Sequence, residues 1–308
     1  EGVGLGGRDN GLIFSVGAHL WACTTPLIKF GTDAQKERWL PGMADGELIA
    51  ANGMTEPDTG SDAYALRTSA KKEGDAWVLN GQKTFVTNAP VADLFIVYAR
   101  TGHKPGFAGI TCFVVEAGTP GLEVGRPMEK MGLRTSPMAE LFFDDCRVPE
   151  ANLLGRAGSG AMVFNMSMDF ERLFIMAAPL GGARRLLARC LQHAKERKTG
   201  GTPLGKHQSV AHTLVEMDLR VEQAGLALYQ AAWIKAQRGV AMAESARSKL
   251  AVSHAYEQTC RDAVHLFGGY GYMVEYELER ELRDATAATL YSGTSEVQRN
   301  IVAALKGL

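Results

Sequence analysis

The 308 residues, 46% hydrophobic and 22% charged, are enough for one large core or two to three smaller units. Thirty-three basic against 34 acidic side chains leave a formal net charge of -1, which gives no electrostatic reason to expect nucleic acid or an anionic membrane as a partner. Five scattered cysteines without a CxxC pair, and seven histidines without HExxH spacing, point to reduced thiols in a cytoplasmic setting and to no metal site.

The chain opens on Glu1-Gly-Val-Gly-Leu-Gly-Gly7 with no basic leader and reads as the middle of a longer protein. Asn10 to Phe30 is apolar with small residues and reads as helical. No apolar run reads as long enough for the roughly 18 to 20 residues of a membrane span, so no membrane partner is expected. Thr32 is the candidate N-cap of a second helix, and Pro41-Gly42 and Asp45-Gly46 punctuate the residues after it. From residue 51 the period shortens. Leu66–Ala70, Ala76–Leu79, Lys83–Thr87, Leu94–Tyr98, Ile110–Val115, Leu122–Val124 and Glu140–Phe143 are short β-rich runs. Turn signals at Gly74-Asp75, Asn80-Gly81, Pro105-Gly106 and Pro120-Gly121 separate them, with Asn80-Gly81 the strongest hairpin signal. After Pro149 and the glycines at 155, 158 and 160, helical periods return over about 161–197, 207–238, 242–267, 277–284 and 295–306. The expected fold is α+β: N-terminal helices (1–50, an incomplete set), a central antiparallel β domain (51–155) and a C-terminal four-helix bundle (156–308).

Four stretches carry chemistry. Met54-Thr-Glu-Pro-Asp-Thr-Gly-Ser-Asp62 offers hydroxyls and backbone N–H groups to a heteroaromatic ring or a phosphate, or is a plain turn-rich loop. Phe267-Gly-Gly-Tyr-Gly271 allows a close backbone approach to a ligand, or simply ends a helix. Tyr291-Ser-Gly-Thr-Ser-Glu296 opens the last helix with Thr294 as N-cap, a place where a polar cofactor edge can also be held. Met168-Asp-Phe-Glu-Arg-Leu173 sets the acid-base pair Glu171-Arg172 in what reads as the opening turns of a long helix; alone, such a pair is usually a solvated helix face.

Taken together these stretches resemble the acyl-CoA dehydrogenases. The matching residues are Thr55-Glu-Pro-(x)2-Gly-Ser-Asp62, Gly81-x-Lys83-x-Phe-x-Thr87-Asn88, Arg197-(x)3-Gly-(x)2-Leu204-(x)3-Gln208, Phe267-Gly-Gly-x-Gly271, Leu282-Arg-Asp284 and Gly293-Thr-Ser-Glu-Val-Gln-Arg299, in family order over nearly the whole chain. The resemblance implies FAD held between the β domain and the bundle, and assembly as a homotetramer, a dimer of dimers. It makes Thr55, Ser61 and Thr87 flavin-side contacts and Phe85 an apolar cover for the ring. Arg197, Gly268 and Gly269 resemble residues reaching the FAD pyrophosphate and adenine of a neighbouring subunit, with His265 just before that turn a further cofactor-binding candidate, and Thr294 and Glu296 resemble those at the adenosine diphosphate end. Gly200 and His265 depart from the common family residues, Phe and Gln.

The larger departure is Ser292, where many family members carry the catalytic Glu. A serine hydroxyl is no α-proton base near neutral pH. Members resembling isovaleryl-CoA dehydrogenase carry that Glu on a bundle helix within Glu-Arg-Leu, and Glu171-Arg-Leu173 fits this version. The implied activity is α,β-dehydrogenation of an acyl or aminoacyl thioester, with Glu171 taking the α-proton, Arg172 orienting it, and the β-hydride going to the flavin. Phe143-Asp-Asp-Cys-Arg-Val-Pro149 and Asn88-Ala-Pro-Val-Ala-Asp93 also resemble members acting on carrier-protein-bound substrates, with prolyl-carrier-protein dehydrogenases the nearest type. Three readings stand: a CoA-thioester dehydrogenase, an acyl- or peptidyl-carrier-protein dehydrogenase, and a flavin-binding homologue without activity. An electron-transfer flavoprotein is the implied electron acceptor, with oxygen as the other.

Overall fold

The computed structural model describes residues 1–102 and 106–308; Pro105 of the expected Pro105-Gly106 turn lies outside them. The chain begins with α1 (Gly2–Gly6), α2 (Asn10–Ala18), a π-helical turn (His19–Thr24), α3 (Thr25–Phe30) and α4 (Asp33–Asp45). Thr32 caps α4 as expected. Its hydroxyl accepts from Gln35 N at 3.2 Å, and Gln35 Oε1 accepts from Thr32 N at 3.0 Å, so two otherwise orphaned donors are satisfied.

Two expectations fail in this stretch. Pro41-Gly42 lies inside α4, which runs on to the left-handed Gly46, because burying Trp39 and Met43 offsets the single helical bond a proline removes. Asn10–Phe30 forms a 21-residue helical run long and apolar enough to cross a membrane, contrary to the sequence reading. A core helix has the same composition, and here Ala22, Cys23 and Leu27 are buried in a protein core.

Contacts divide the chain into two compact units that do not follow the three sequence segments. The β unit comprises Ser15–Glu129 and Ser136–Glu171; the helical unit comprises Glu1–Phe14, Lys130–Thr135 and Arg172–Leu308. The N-terminal helices are shared between the two, as suits a segment too short to build a core of its own.

Within the β unit are β1 (Ala50–Gly53), β2 (Ser69–Glu73), β3 (Ala76–Thr87), β4 (Leu94–Arg100), β5 (Ile110–Glu116), β6 (Leu122–Val124), β7 (Met138–Pro149) and β8 (Leu153–Leu154), in sheet order β6-β7-β3-β2-β4-β5-β8, followed in the chain by α5 (Gly160–Phe174). The sheet is mixed rather than antiparallel. β1 runs parallel to β4 from Ala50↔Leu94 to Gly53↔Val97, and β2 meets β4 in parallel at Ser69↔Arg100. Long stretches of chain between such strands are what permit a parallel pairing. β4 is buried on both faces: Leu94, Ile96 and Tyr98 join the core containing Leu27, Trp39 and Val163, while Phe95, Val97 and Ala99 join the one under Trp77, Leu79 and Phe113. That two-residue alternation is why its sequence reads as an unbroken apolar run.

The Asn80-Gly81 signal is the clearest error. No hairpin forms there; the two runs on either side are one strand, β3, and the hairpin sits at Gly74-Asp75. Asn80-Gly81 is instead an irregularity in the β3–β7 ladder, between Leu79 and Gly81. Asn80 bonds across to Asp145 at 3.0 Å, and a Cβ at Gly81 would meet Thr68 Cα at 2.7 Å, so the glycine permits a close backbone crossing.

The helical unit contains α6 (Ala177–Glu196), α7 (Gln208–Arg238), α8 (Met242–Phe267), α9 (Leu278–Ala287) and α10 (Ser295–Leu305), with α8 packed against each of the others except the N-terminal α1, which lies on α6. α7 buries Leu214, Met217, Val221, Ala224, Leu228 and Ala231, the three- and four-residue alternation of a bundle seam. The helix expected over 161–197 is broken at Ile175-Met176, because Pro179 cannot donate into the preceding turn. Glu171-Arg172 therefore closes α5 instead of opening a long helix. Asp284 of Leu282-Arg-Asp284 accepts from Leu133 N at 2.6 Å and from Asn10 Nδ2 at 3.1 Å, supporting Leu133 in a left-handed conformation.

Candidate active site

In the β unit, Thr55, Ser61, Phe85 and Thr87 lie on the Met54–Asp62 loop and on the end of β3. Thr84 N donates to Thr55 O at 2.9 Å, tying loop to strand. Phe85 adopts φ 55 in a β3 irregularity between Lys83 and Val86, and its side chain is 63% exposed. A bulky residue held left-handed is strained by roughly 1–3 kcal/mol, and the result is an aromatic face presented outward from a sheet. Thr87 is half-buried and Ser61 exposed. Thr59, in the same loop, buries a hydroxyl with no hydrogen-bond partner among the described residues.

Sequence alone passed over the groups that hold this loop. Lys83 is fully buried; its Nζ donates to Glu56 Oε1 at 2.8 Å and to Met54 O at 3.2 Å. Glu56 also accepts from Arg67 N at 2.6 Å and Thr68 N at 2.9 Å. Burial lowers the Lys83 pKa to about 8 against the pull of Glu56. Burial works to raise the Glu56 pKa, but the Lys83 ammonium and the Thr68 and Arg67 donors hold its carboxyl below the usual range. Both residues lie inside family motifs, but a lysine in a strand ordinarily signals an outward face.

Glu171, on the last turn of α5, is buried, and within the β unit its charge helps to raise the Cys23 thiol, which burial has already pushed well up. Met168 on the same helix is buried too, whereas Met162 is exposed, so the helix's methionines form no single lining.

In the helical unit, Arg172 is buried and its Nε donates to Ser292 O at 3.3 Å. Ser292 is left-handed at φ 54, and Gln298 Nε2 donates to Ser292 O at 3.1 Å and to Gly293 O at 2.8 Å. Thr294 caps α10 as expected, accepting from Val297 N at 3.4 Å. Glu296 is exposed; its own backbone N–H and the Thr294 hydroxyl hold its carboxyl below the ordinary range. These residues form one grouping.

Arg197 and the glycine turn form another. Arg197 lies over the Tyr270 ring at 5.6 Å, and His193 stacks on Phe267 at 3.8 Å. Gly268 ends α8 at φ 58, and His265 sits exposed in the preceding turn. A Cβ on Gly271 would collide with the Val264 carbonyl, whereas one on Gly269 would meet nothing within 4 Å. The fold needs glycine at 271; the bare backbone at 269 leaves room for a ligand. Gly269→Ala should therefore leave the melting temperature unchanged and weaken cofactor binding, while Gly271→Ala should lower the melting temperature by several degrees; calorimetry with cofactor titration checks both. Within the β unit, an outward aromatic face, loop hydroxyls and the Thr59 hydroxyl suit the flavin ring system; within the helical unit, the open backbone at Gly269 suits a phosphate or nucleotide edge.

Comparison with known proteins gives matches along the chain. Residues 5–47, 51–146 and 158–306 match the models of the acyl-CoA dehydrogenase N-terminal, middle and C-terminal domains. An L-prolyl-[peptidyl-carrier protein] dehydrogenase from Pseudomonas fluorescens is 42% identical over 97% of this chain and 79% of its own length. The crystal structure of the prolyl acyl carrier protein oxidase AnaB superposes with a TM-score of 0.97 at 48% identity, covering 100% of this chain and 81% of that one. PigA with FAD and proline superposes at 0.98 and 41% identity, covering 99% and 80%.

Proposed function

Because the chain belongs to the acyl-CoA dehydrogenase family, we propose that it is an FAD-dependent oxidoreductase that introduces an α,β double bond into an acyl or aminoacyl thioester, with Glu171 as the base. The observation that carries this reading is a buried carboxylate at Glu171 in a chain that has serine at 292. The first supplies an α-proton acceptor; the second removes the usual one.

FAD, when bound, supplies the acceptor for the β-hydride. In the β unit, Thr55, Ser61, Phe85 and Thr87 are the residues that would hold the flavin ring; in the helical unit, Arg197, His265, Gly268 and Gly269 are those that would reach the FAD of a neighbouring subunit, and Thr294 and Glu296 those that would meet an adenosine diphosphate end. Glu171 takes the α-proton as the β-hydrogen leaves as hydride, so the thioester loses two hydrogens and becomes 2-enoyl. Low exposure keeps water away from the carboxylate during that transfer. Arg172, held through Ser292 O, fixes the turn that carries Ser292 and keeps a positive charge at the C-terminal end of α5, where the helix dipole favours it.

The substrate is an aminoacyl group on a carrier protein rather than a CoA ester. The identity to the L-prolyl-[peptidyl-carrier protein] dehydrogenase and to the prolyl acyl carrier protein oxidase supports this choice, together with the Asn88–Asp93 and Phe143–Pro149 stretches. Reoxidation is by an electron-transfer flavoprotein or by oxygen. The assembly is a homotetramer; the exposed Val215, Leu219, Leu226 and Trp233, spaced along α7 by four and seven residues, support it as an apolar face for another subunit. Anaerobic incubation with prolyl-loaded carrier protein, and separately with acyl-CoAs, tests the reading through bleaching of visible flavin absorbance. Bleaching by carrier protein alone is expected. Bleaching by CoA esters alone would move the substrate class, and none with either would leave a flavin-binding homologue without activity.

A further inference from the structure

Replacing a buried ion pair with apolar residues of similar volume often leaves stability unchanged or raises it, so a pair kept in a core calls for a geometric reason. Lys83 is 0% exposed in β3 and Glu56 5% exposed in the Met54–Asp62 loop. Their bonds bracket Thr55. The ammonium donates to Met54 O on one side of it and to Glu56 Oε1 on the other, while the Glu56 carboxylate grips the returning chain at Arg67 N and Thr68 N. The next residue of β3, Thr84, donates from its N–H to Thr55 O. The residue after that is Phe85, turned outward by its left-handed backbone. Thr55 and Phe85 are thus locked to each other through two successive residues of one strand, and the start of the loop and the chain that returns from it are tied to one buried ion pair.

We propose that Lys83 and Glu56 are positioning residues for the flavin, holding the Thr55–Ser61 loop and the Phe85 ring in the mutual geometry that the isoalloxazine system requires; this rests on the FAD reading above. A lysine suits the task because one ammonium bonds a backbone carbonyl and a carboxylate at once. Its lowered pKa, about 8, still leaves it charged at neutral pH.

The test uses the purified flavoprotein, stripped of flavin and titrated with FAD, in three forms: wild type, Lys83→Met, and the double variant Glu56→Gln with Lys83→Met. The single variant strands a buried carboxylate and is expected to lower the melting temperature. The double variant removes both charges and is expected to recover most of it. If the pair positions the loop, the folded double variant binds FAD about ten- to a hundredfold more weakly, and the visible circular dichroism of its bound flavin differs from wild type. If its FAD affinity and dichroism match wild type, the pair serves folding alone and the proposal is overturned. A double variant that does not recover from the single one also overturns it, since the pair would then be needed for the fold itself. Wild type that takes up no FAD would defeat the family reading instead, so the two failures are distinguishable.

Discussion

Glu171→Gln should lower the rate of flavin reduction by thioester about 10²- to 10⁴-fold, the contribution of a positioned general base, while FAD stays bound. Glutamine keeps the shape and the hydrogen-bonding carbonyl of the carboxylate but cannot hold the α-proton. The fold loses little, because Glu171 closes α5 rather than sitting in its middle. No residue of the Tyr291–Glu296 turn can take over. Ser292 carries a hydroxyl where the family resemblance implies an acid in many members, and Glu296 is an exposed first-turn residue of α10. Rapid mixing under anaerobic conditions gives the rate. A variant reduced as fast as wild type would place the base elsewhere.

Glu281→Ala should destabilise the helical unit by about 3–5 kcal/mol, as happens when one member of a buried charged network is removed. Glu281 is 3% exposed on α9. It accepts from Arg185 Nη2 at 2.6 Å, Tyr256 Oη at 2.6 Å and Asn10 Nδ2 at 3.1 Å, joining α6, α8, α9 and the start of α2. Arg185 also bonds the carbonyls of Gly4 and Gly7, so its guanidinium stays in place when the carboxylate goes. Alanine would strand that charge and the Tyr256 hydroxyl together. Denaturant unfolding measures the loss. Pairing Glu281→Leu with Arg185→Met should recover most of it, since both charges are then gone, and a single variant as stable as wild type would contradict the network's importance.

Much of the fold was legible because local chemistry agreed with the tertiary outcome. The Thr32 box, the Thr294 cap, the Gly74-Asp75 turn and the boundaries of α7 and α8 all follow from residues within a few positions of each other. Failures came where distant partners overrode local signals. Asn80-Gly81 is a hairpin dipeptide that instead lets β3 cross Thr68, and Pro41 survives in α4 because Trp39 and Met43 are buried. The parallel seat of β1 on β4 depends on chain far along the sequence, which no periodicity of Ala50–Gly53 announces. The same limit applies to the candidate site. The Thr294 cap could be picked out from its own motif, whereas Glu171 stood out only through the family resemblance, since alone it reads as a solvated helix face and in the fold it is buried. Lys83 could not be picked out, since its meaning comes from Glu56, a residue 27 positions earlier. Phe85 was expected as an apolar cover, but its left-handed backbone is a tertiary fact.

The central claim is that this chain removes a proton and a hydride from adjacent carbons of a thioester. The most direct measurement is anaerobic mixing of the flavin-loaded protein with prolyl-loaded carrier protein, following flavin bleaching and then the mass of the carrier-bound group. One group lighter by two hydrogens for each flavin bleached is the predicted result. Bleaching with a carrier-bound group of unchanged mass, or loss of hydrogens without bleaching, would contradict it.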